Sequence, residues 1–521
     1  MAGTMSNRET ALPSDEGSRR LLPVTAPPMK RYLTLLLSLL FVLPLPAQSR
    51  REALLEYQAR RRQAYTEFRD NYRKACADFM RKRWEAFRAE APVPVPERRE
   101  PDIPVMKHPD APSVPTQDRM PYDKVVDLPE PAPEMPDAPG IAETPVLPGK
   151  PAAGTDDAAP AVDVSRPFKF TFYGTGCSVS LAAKHRFNLA SVQENSVANA
   201  WEGVSRGSYD AVAAECVALK KALGLNDWGY YDLVRTLADG FCGPKTNESV
   251  VLQSFLMAEA GYKVRMARGG GRLFLLLATD GQVYARPYFN IDGQVFYILD
   301  DVPRAASYNI CNFTIPGERP LSLAMPAPPL FAQKPAAPAV RNFDGVVSTT
   351  VTVNRNLMDF YTNYPPCHWS VYAATALTAP VRGQLYPPLR AAVAGKGERE
   401  AAELLLHYLH RAFPYKTDEA QFGVERTLFA EEMYYYPYSD CEDRSILFAR
   451  LVKDLLGLDV VLLYYPAHIA TAVCFKGEVK GDYMQLGNKR YVICDATYIG
   501  AGVGEAMPDL KRTPAQVVRI D

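Results

Sequence analysis

The chain has 521 residues, with 59 Lys and Arg against 59 Asp and Glu, so its formal net charge is zero. That balance argues against a nucleic-acid-binding protein, which normally carries a basic excess. The length corresponds to roughly two to four domains, and 47 % hydrophobic residues are enough to give them real cores. Nine scattered cysteines without a CxxC pair argue against a disulfide scaffold or a zinc ribbon.

The first candidate element is a targeting segment. Met29-Lys30-Arg31 precede an apolar run from Leu33 to Leu45, and the small residue Ala47 follows. A short basic region, an apolar stretch and a small exit residue describe a secretory signal peptide. The run is too short to span a ~30 Å hydrocarbon core. Residues 1–47 are therefore expected to direct export, with translation starting at Met29, to the periplasm or outside the cell.

Residues 50–90 contain neither Pro nor Gly and are expected to form one long helix. Tyr65, Phe68, Tyr72, Ala75 and Phe79 step along it with coiled-coil spacing. Twelve Lys/Arg against seven Asp/Glu make it basic. Self-association, contact with an anionic envelope surface, or a solvated spacer would each fit. From Pro92 to Pro160 there are 18 prolines and few large apolar residues, so 91–165 reads as a disordered, extended linker. Two globular units should follow, 166–324 and 340–521, parted by the Pro/Ala-rich stretch Pro326–Pro338.

The chemistry concentrates near the C-terminus. Ser439 and Glu442 have the spacing of a capping box, which puts Cys441 in the first turn of a helix through Leu456. Gly457 ends that helix and Val460–Tyr465 reads as a strand. A thiol at a helix N-terminus feels the positive end of the dipole, which favours thiolate. His468 is the only histidine after Cys441 and opens another apolar strand. Tyr491–Cys494 reads as a third strand and delivers Asp495. An acid beside the histidine could orient it and stabilise its charged form.

Cysteine at a helix start, histidine on a following strand and aspartate on the next is the order of the transglutaminase-like superfamily. Asp440-Cys441-Glu442-Asp443 resembles the D-C-x-D segment of bacterial members, and Asp495-Ala496-Thr497 resembles their D-P-T, with Ala in place of Pro. The resemblance implies an α+β, papain-like cysteine-hydrolase fold over the last 110 or so residues. It assigns Cys441 as nucleophile, His468 as general base and acid, and Asp495 as orienter. Asp440, Glu442 and Asp443 crowd the thiol with negative charge, which opposes its ionisation. No cofactor is required by this chemistry. Some relatives hold calcium through acids flanking the cysteine, so a Ca²⁺ site at Asp440 and Glu442 is a further expectation. The aromatic run Tyr434–Tyr438 could supply an oxyanion donor or a groove wall, or be a packed loop.

The middle unit repeats the pattern. Ser249–Val264 shadows Ser445–Val460 at an offset of 196, with Gly261 under Gly457. Cys441 then falls on Lys245 and His468 on Arg272; at an offset of 195, Asp495 falls on Asp300. This copy keeps only the acid and is expected to be a degenerate transglutaminase-like domain. The whole reads as an exported cysteine protease, amidase or acyltransferase acting on protein or peptide amides, without a nucleic-acid partner. The competing reading is a non-catalytic envelope scaffold with a relic triad.

Overall fold

The computed structural model describes residues 47–96, 101–128, 162, 164–206, 209–300 and 307–520. The export signal, apart from Ala47, and residues 129–161 of the Pro-rich stretch lie outside the described residues. The chain divides into two units, Met1–Tyr65 and Thr66–Asp521. No helix among the described residues is long and apolar enough to cross a membrane.

The architecture is α+β. In chain order the strands are β1 (Glu85–Phe87), β2 (Tyr122–Val126), the hairpin β3 (Phe168–Phe172) and β4 (Thr175–Val179), then β5 (Val264–Gly269), β6 (Arg272–Ala278), β7 (Tyr288–Ile291), β8 (Gln294–Ile298) and β9 (Tyr308–Cys311). A second hairpin, β10 (Ala339–Phe343) and β11 (Val347–Val351), precedes β12 (Asp459–Tyr465), β13 (His468–Cys474), β14 (Tyr483–Leu486), β15 (Lys489–Cys494) and β16 (Ala515–Arg519). Helices fill the interval between each hairpin and its sheet. The last of each set, Asn247–Glu259 and Cys441–Leu456, are almost wholly buried.

The two six-stranded sheets share one order. The first runs β1-β9-β5-β6-β8-β7 and the second β2-β16-β12-β13-β15-β14. The strand registers coincide as well. Tyr465 opposite His468 and Val460 opposite Val473 correspond, at the offset of 196, to Gly269 opposite Arg272 and Val264 opposite Leu277. Gly457 ends the second buried helix at φ 64°, a left-handed conformation that costs glycine nothing.

Side chains alternate across each strand. In the second sheet Val460, Leu462, Ile469 and Val473 join the core beneath the helices. Val461, Leu463, Ala470 and Ala472 face the other way, in a separate cluster with Met484, Ile493 and Val517. Both faces are apolar, so both must be covered.

That requirement corrects two expectations. The helix is not continuous to residue 90; it runs Ala47–Met80 and stops where Trp84 folds back into the core and its indole Nε1–H donates to the Met80 carbonyl at 2.9 Å. Nor do Phe68 and its heptad mates form the buried seam: Phe68 is exposed, while Arg73, Cys76, Ala77 and Met80 are buried. Arg73 donates to Glu259 at 2.9 Å and to Asp210 at 2.7 Å, and Tyr72 also donates to Glu259. From Thr66 onward this helix is part of the middle unit.

The second correction concerns the linker. Residues 85–87 pair with β9, and Glu90 bridges Tyr288 of β7 at the opposite edge of the same sheet. Arg119 bridges Tyr483 of β14, and 122–126 run parallel to β16. Met120 is 1 % exposed and completes the outer apolar cluster of the second sheet. Within the expected linker, residues 119–126 thus engage both edges of the second sheet instead of floating as a tether, while residues 85–90, from the end of the expected helix, engage both edges of the first. Composition misled because an edge strand is held by backbone hydrogen bonds and needs few apolar side chains. The stretch 326–338 is likewise no open break: Phe331 is buried and packs on Phe172 and Phe360, joining the two copies.

Two outcomes are expected. Met120→Ala should cost about 2–5 kcal/mol, the range for a buried large-to-small change, measured by urea unfolding. A chain starting at residue 166 should bind the dye ANS and melt earlier than one starting at residue 66, because the outer faces lose their cover.

Candidate active site

The triad residues sit at one end of the second sheet. Cys441 is the first residue of its helix, with Asp440 as N-cap rather than Ser439, one position later than the S-x-x-E spacing suggested. The reason is that Asp443 Oδ2 accepts the Asp440 N–H at 3.4 Å, while the Ser439 hydroxyl accepts from Arg444 Nε at 3.3 Å. Cys441 thus occupies the turn whose amides have no intrahelical partner. It is 1 % exposed.

His468 opens β13 and Asp495 follows β15 directly. The antiparallel pairing of these strands, Thr471 opposite Cys494, brings the start of one beside the end of the other. His468 Nε2 lies 2.8 Å from Asp495 Oδ2. The other carboxylate oxygen accepts from the Thr497 amide at 2.9 Å, the Thr497 hydroxyl and the Tyr498 amide. Burial alone would raise the Asp495 carboxyl; the charge and hydrogen bond of His468 and the bonds from Thr497 hold it below the ordinary carboxylate value. The imidazole stacks on Tyr465 and keeps its Nδ1 edge away from the acid.

The thiol and the histidine strand meet through the backbone. The Ile469 amide, next to His468, donates to Cys441 Sγ at 3.3 Å. That donor and the helix terminus both favour negative charge on sulfur. Arg444, buried and bonded to the Phe413 carbonyl at 2.6 Å, adds a cation nearby. Opposing them, Glu442 Oε2 lies 3.7 Å from Sγ as an acceptor of the thiol proton.

Four carboxyl groups, Asp418, Asp440, Glu442 and Asp443, gather on this side of Cys441, and Asp440 and Asp443 act electrostatically on Arg444. Asp418, Asp440 and Glu442 each offer an oxygen within 4.8 Å of the others, and all three residues are buried. Asp443 caps the helix and also accepts the Leu428 amide at 2.8 Å. Burial, then Glu442 and Asp443, push the Asp440 and Asp418 carboxyls far above the carboxylate range. Asp440 Oδ1 is buried with no hydrogen-bond partner. Hard oxygen donors, excess negative charge and an orphaned oxygen fit a calcium ion. Asp440 and Glu442 were legible from their place beside the cysteine. Asp418 was not, because it comes from a separate short helix, Asp418–Phe422, and no spacing rule links them.

Several other polar side chains are held by structural partners. Tyr434 is buried with its hydroxyl 3.2 Å from that of Tyr408, so it is committed elsewhere than an oxyanion. His368 caps the helix Trp369–Ala374. His407 and His410 hold no shared ligand: they reach the carbonyls of Ala501 and Asp495, at 3.3 and 3.0 Å. In the middle copy, Arg272 lies 3.4 Å from the Lys245 carbonyl. Asp300 is raised by burial, with Arg235, Lys245 and Arg272 lowering it, and no thiol or imidazole stands at the equivalent positions.

A cation competes with protons for raised carboxyls. Millimolar Ca²⁺ should therefore raise the melting temperature, more at pH 8 than at pH 6, and Asp418→Asn or Asp440→Asn should abolish the shift, as read by scanning calorimetry.

The chain matches no family model, no curated protein and no solved structure.

Proposed function

We propose that this protein is a transglutaminase-like cysteine hydrolase or acyltransferase, exported to the periplasm or beyond, acting on protein or peptide amides. The observation that carries the reading is the contact of His468 Nε2 with Asp495 at 2.8 Å beside a helix-terminal thiol that accepts the Ile469 amide. Cys441 Sγ attacks the amide carbonyl carbon as its proton passes to His468. The charged imidazole, stabilised by Asp495, returns that proton to the departing amine and leaves a thioester. Water, deprotonated by His468, then cleaves the thioester to a carboxylic acid; a lysine amine in its place would give a cross-link. The Cys441 amide is one donor available to the oxyanion. Calcium held by Asp418, Asp440 and Glu442 would supply positive charge beside the sulfur.

The middle copy is then a degenerate transglutaminase-like domain. Self-association or envelope contact would rest on the exposed Leu54, Leu55 and Tyr57 of the N-terminal helix. The second reading, a non-catalytic envelope scaffold with a relic triad, draws on the burial of Cys441 and on Glu442 as its proton acceptor.

The test is alkylation of the full chain by iodoacetamide between pH 5 and 9, with peptide mapping. An activated Cys441 should label below pH 8 ahead of the other eight cysteines, and His468→Ala should slow it by about tenfold or more. Labelling no faster than that of an ordinary thiol, with and without Ca²⁺, would favour the scaffold.

A further inference from the structure

The middle copy sends one loop toward the triad end of the second sheet. Between β6 and β7, Val283 pairs with Cys367, and the Tyr284 amide donates to the Pro366 carbonyl at 2.9 Å. Two residues past Cys367, Trp369 lays its ring 4.7 Å from that of Tyr464. Tyr464 stands opposite Ile469, whose amide is bonded to Cys441 Sγ. An unbroken series of contacts thus leads from Tyr284 to the nucleophile.

The loop is held in an uncommon conformation. Ala285 has φ 55°, a left-handed value that a side chain makes costly. It is fixed because its amide donates to the Val93 carbonyl at 2.7 Å, in the N-terminal segment. This pins Tyr284 from both sides. Its hydroxyl is pushed up to about 12 by burial, then by the charges of Cys367, Tyr464 and Tyr297. Tyr284 and Tyr464 are nevertheless only half-buried, with Trp369 buried behind them. Two partly exposed aromatic side chains, one of them packed on the buried Trp369, suit an aromatic or large apolar side chain.

We propose that Tyr284, with Tyr464 and Trp369, forms a shelf that binds an aromatic or large apolar side chain of the polypeptide whose amide reacts at Cys441. The degenerate copy is then a specificity element of the active one. This rests on the reading of Cys441 as nucleophile.

The experiment compares inactivation of the full-length protein by iodoacetamide, by benzyloxycarbonyl-Phe-Ala diazomethyl ketone and by its Gly-Ala counterpart, with labelling mapped to Cys441. Wild type should prefer the Phe probe at least about fivefold, in line with an aromatic contact worth ~1 kcal/mol. Tyr284→Ala should remove the preference and leave the iodoacetamide rate unchanged, while Tyr284→Phe keeps it. No preference in wild type, a preference that survives Tyr284→Ala, or equal slowing of all three reagents would overturn the shelf. Failure of every reagent to label Cys441 selectively would instead remove the nucleophile reading itself.

Discussion

Each of the two sheets carries apolar side chains on both faces, and helices cover only one of them. Phe274, Leu276, Phe289 and Phe296 in the first sheet and Leu463, Met484 and Ile493 in the second would otherwise meet water. At roughly 25 cal/mol per Å² of apolar surface, exposure of such clusters outweighs most single interactions in a fold. The solution is the same in both: curl the sheet and lay an N-terminal segment across its open side. Phe87 and Ala89 pack on the first cluster and Met120 enters the second. The position of β13 against β15, and so of His468 against Asp495, follows from a sheet held in that shape.

The electrostatics of the candidate site are unusual in one respect. Asp495 is stabilised as a carboxylate despite full burial, because both its oxygens meet His468 or hydrogen-bond donors. On the other side of Cys441, Asp440 and Asp418 are not so stabilised, and Asp440 keeps an oxygen without a donor. Asp495 is bonded to His468, whereas mutual repulsion and burial among Asp418, Asp440, Glu442 and Asp443 drive Asp418 and Asp440 toward their protonated forms. Arg444 is the nearby cation, and the Phe413 carbonyl and the Ser439 hydroxyl already occupy two of its nitrogens.

What could be read beforehand follows a physical division. The helix–strand core was legible because burial imposes periodicity: Ile446 to Leu456 and Val460 to Tyr465 leave little choice of structure. The correspondence of Ser249–Val264 with Ser445–Val460 was legible for the same reason, since a shared core conserves its apolar spacing. Residues 85–90 and 119–126 were not legible, because they are held by main-chain hydrogen bonds that any sequence can make. Asp418 escaped for a different reason, as tertiary folding alone brings it to Asp440. The helix end at Met80 turned on Trp84 reaching back to a carbonyl, a contact that helix propensity does not record.

The closing segment also imposes an order on events during synthesis. Thr116 and Lys511 are bonded to each other across 395 residues of chain. Tyr122–Val126 therefore leaves the ribosome long before β16 exists to receive it, and non-local pairing of this kind is slow. A strand that waits unpaired is a template for aggregation. Pro112, Pro115 and Pro121 precede it, and Asp123, Lys124 and Asp127 lie within or beside it. Prolines remove donors and charges oppose stacking, the two features that keep an open edge from recruiting another chain. The proline content that resembles a tether is thus suited to a strand that must remain soluble until its sheet is complete.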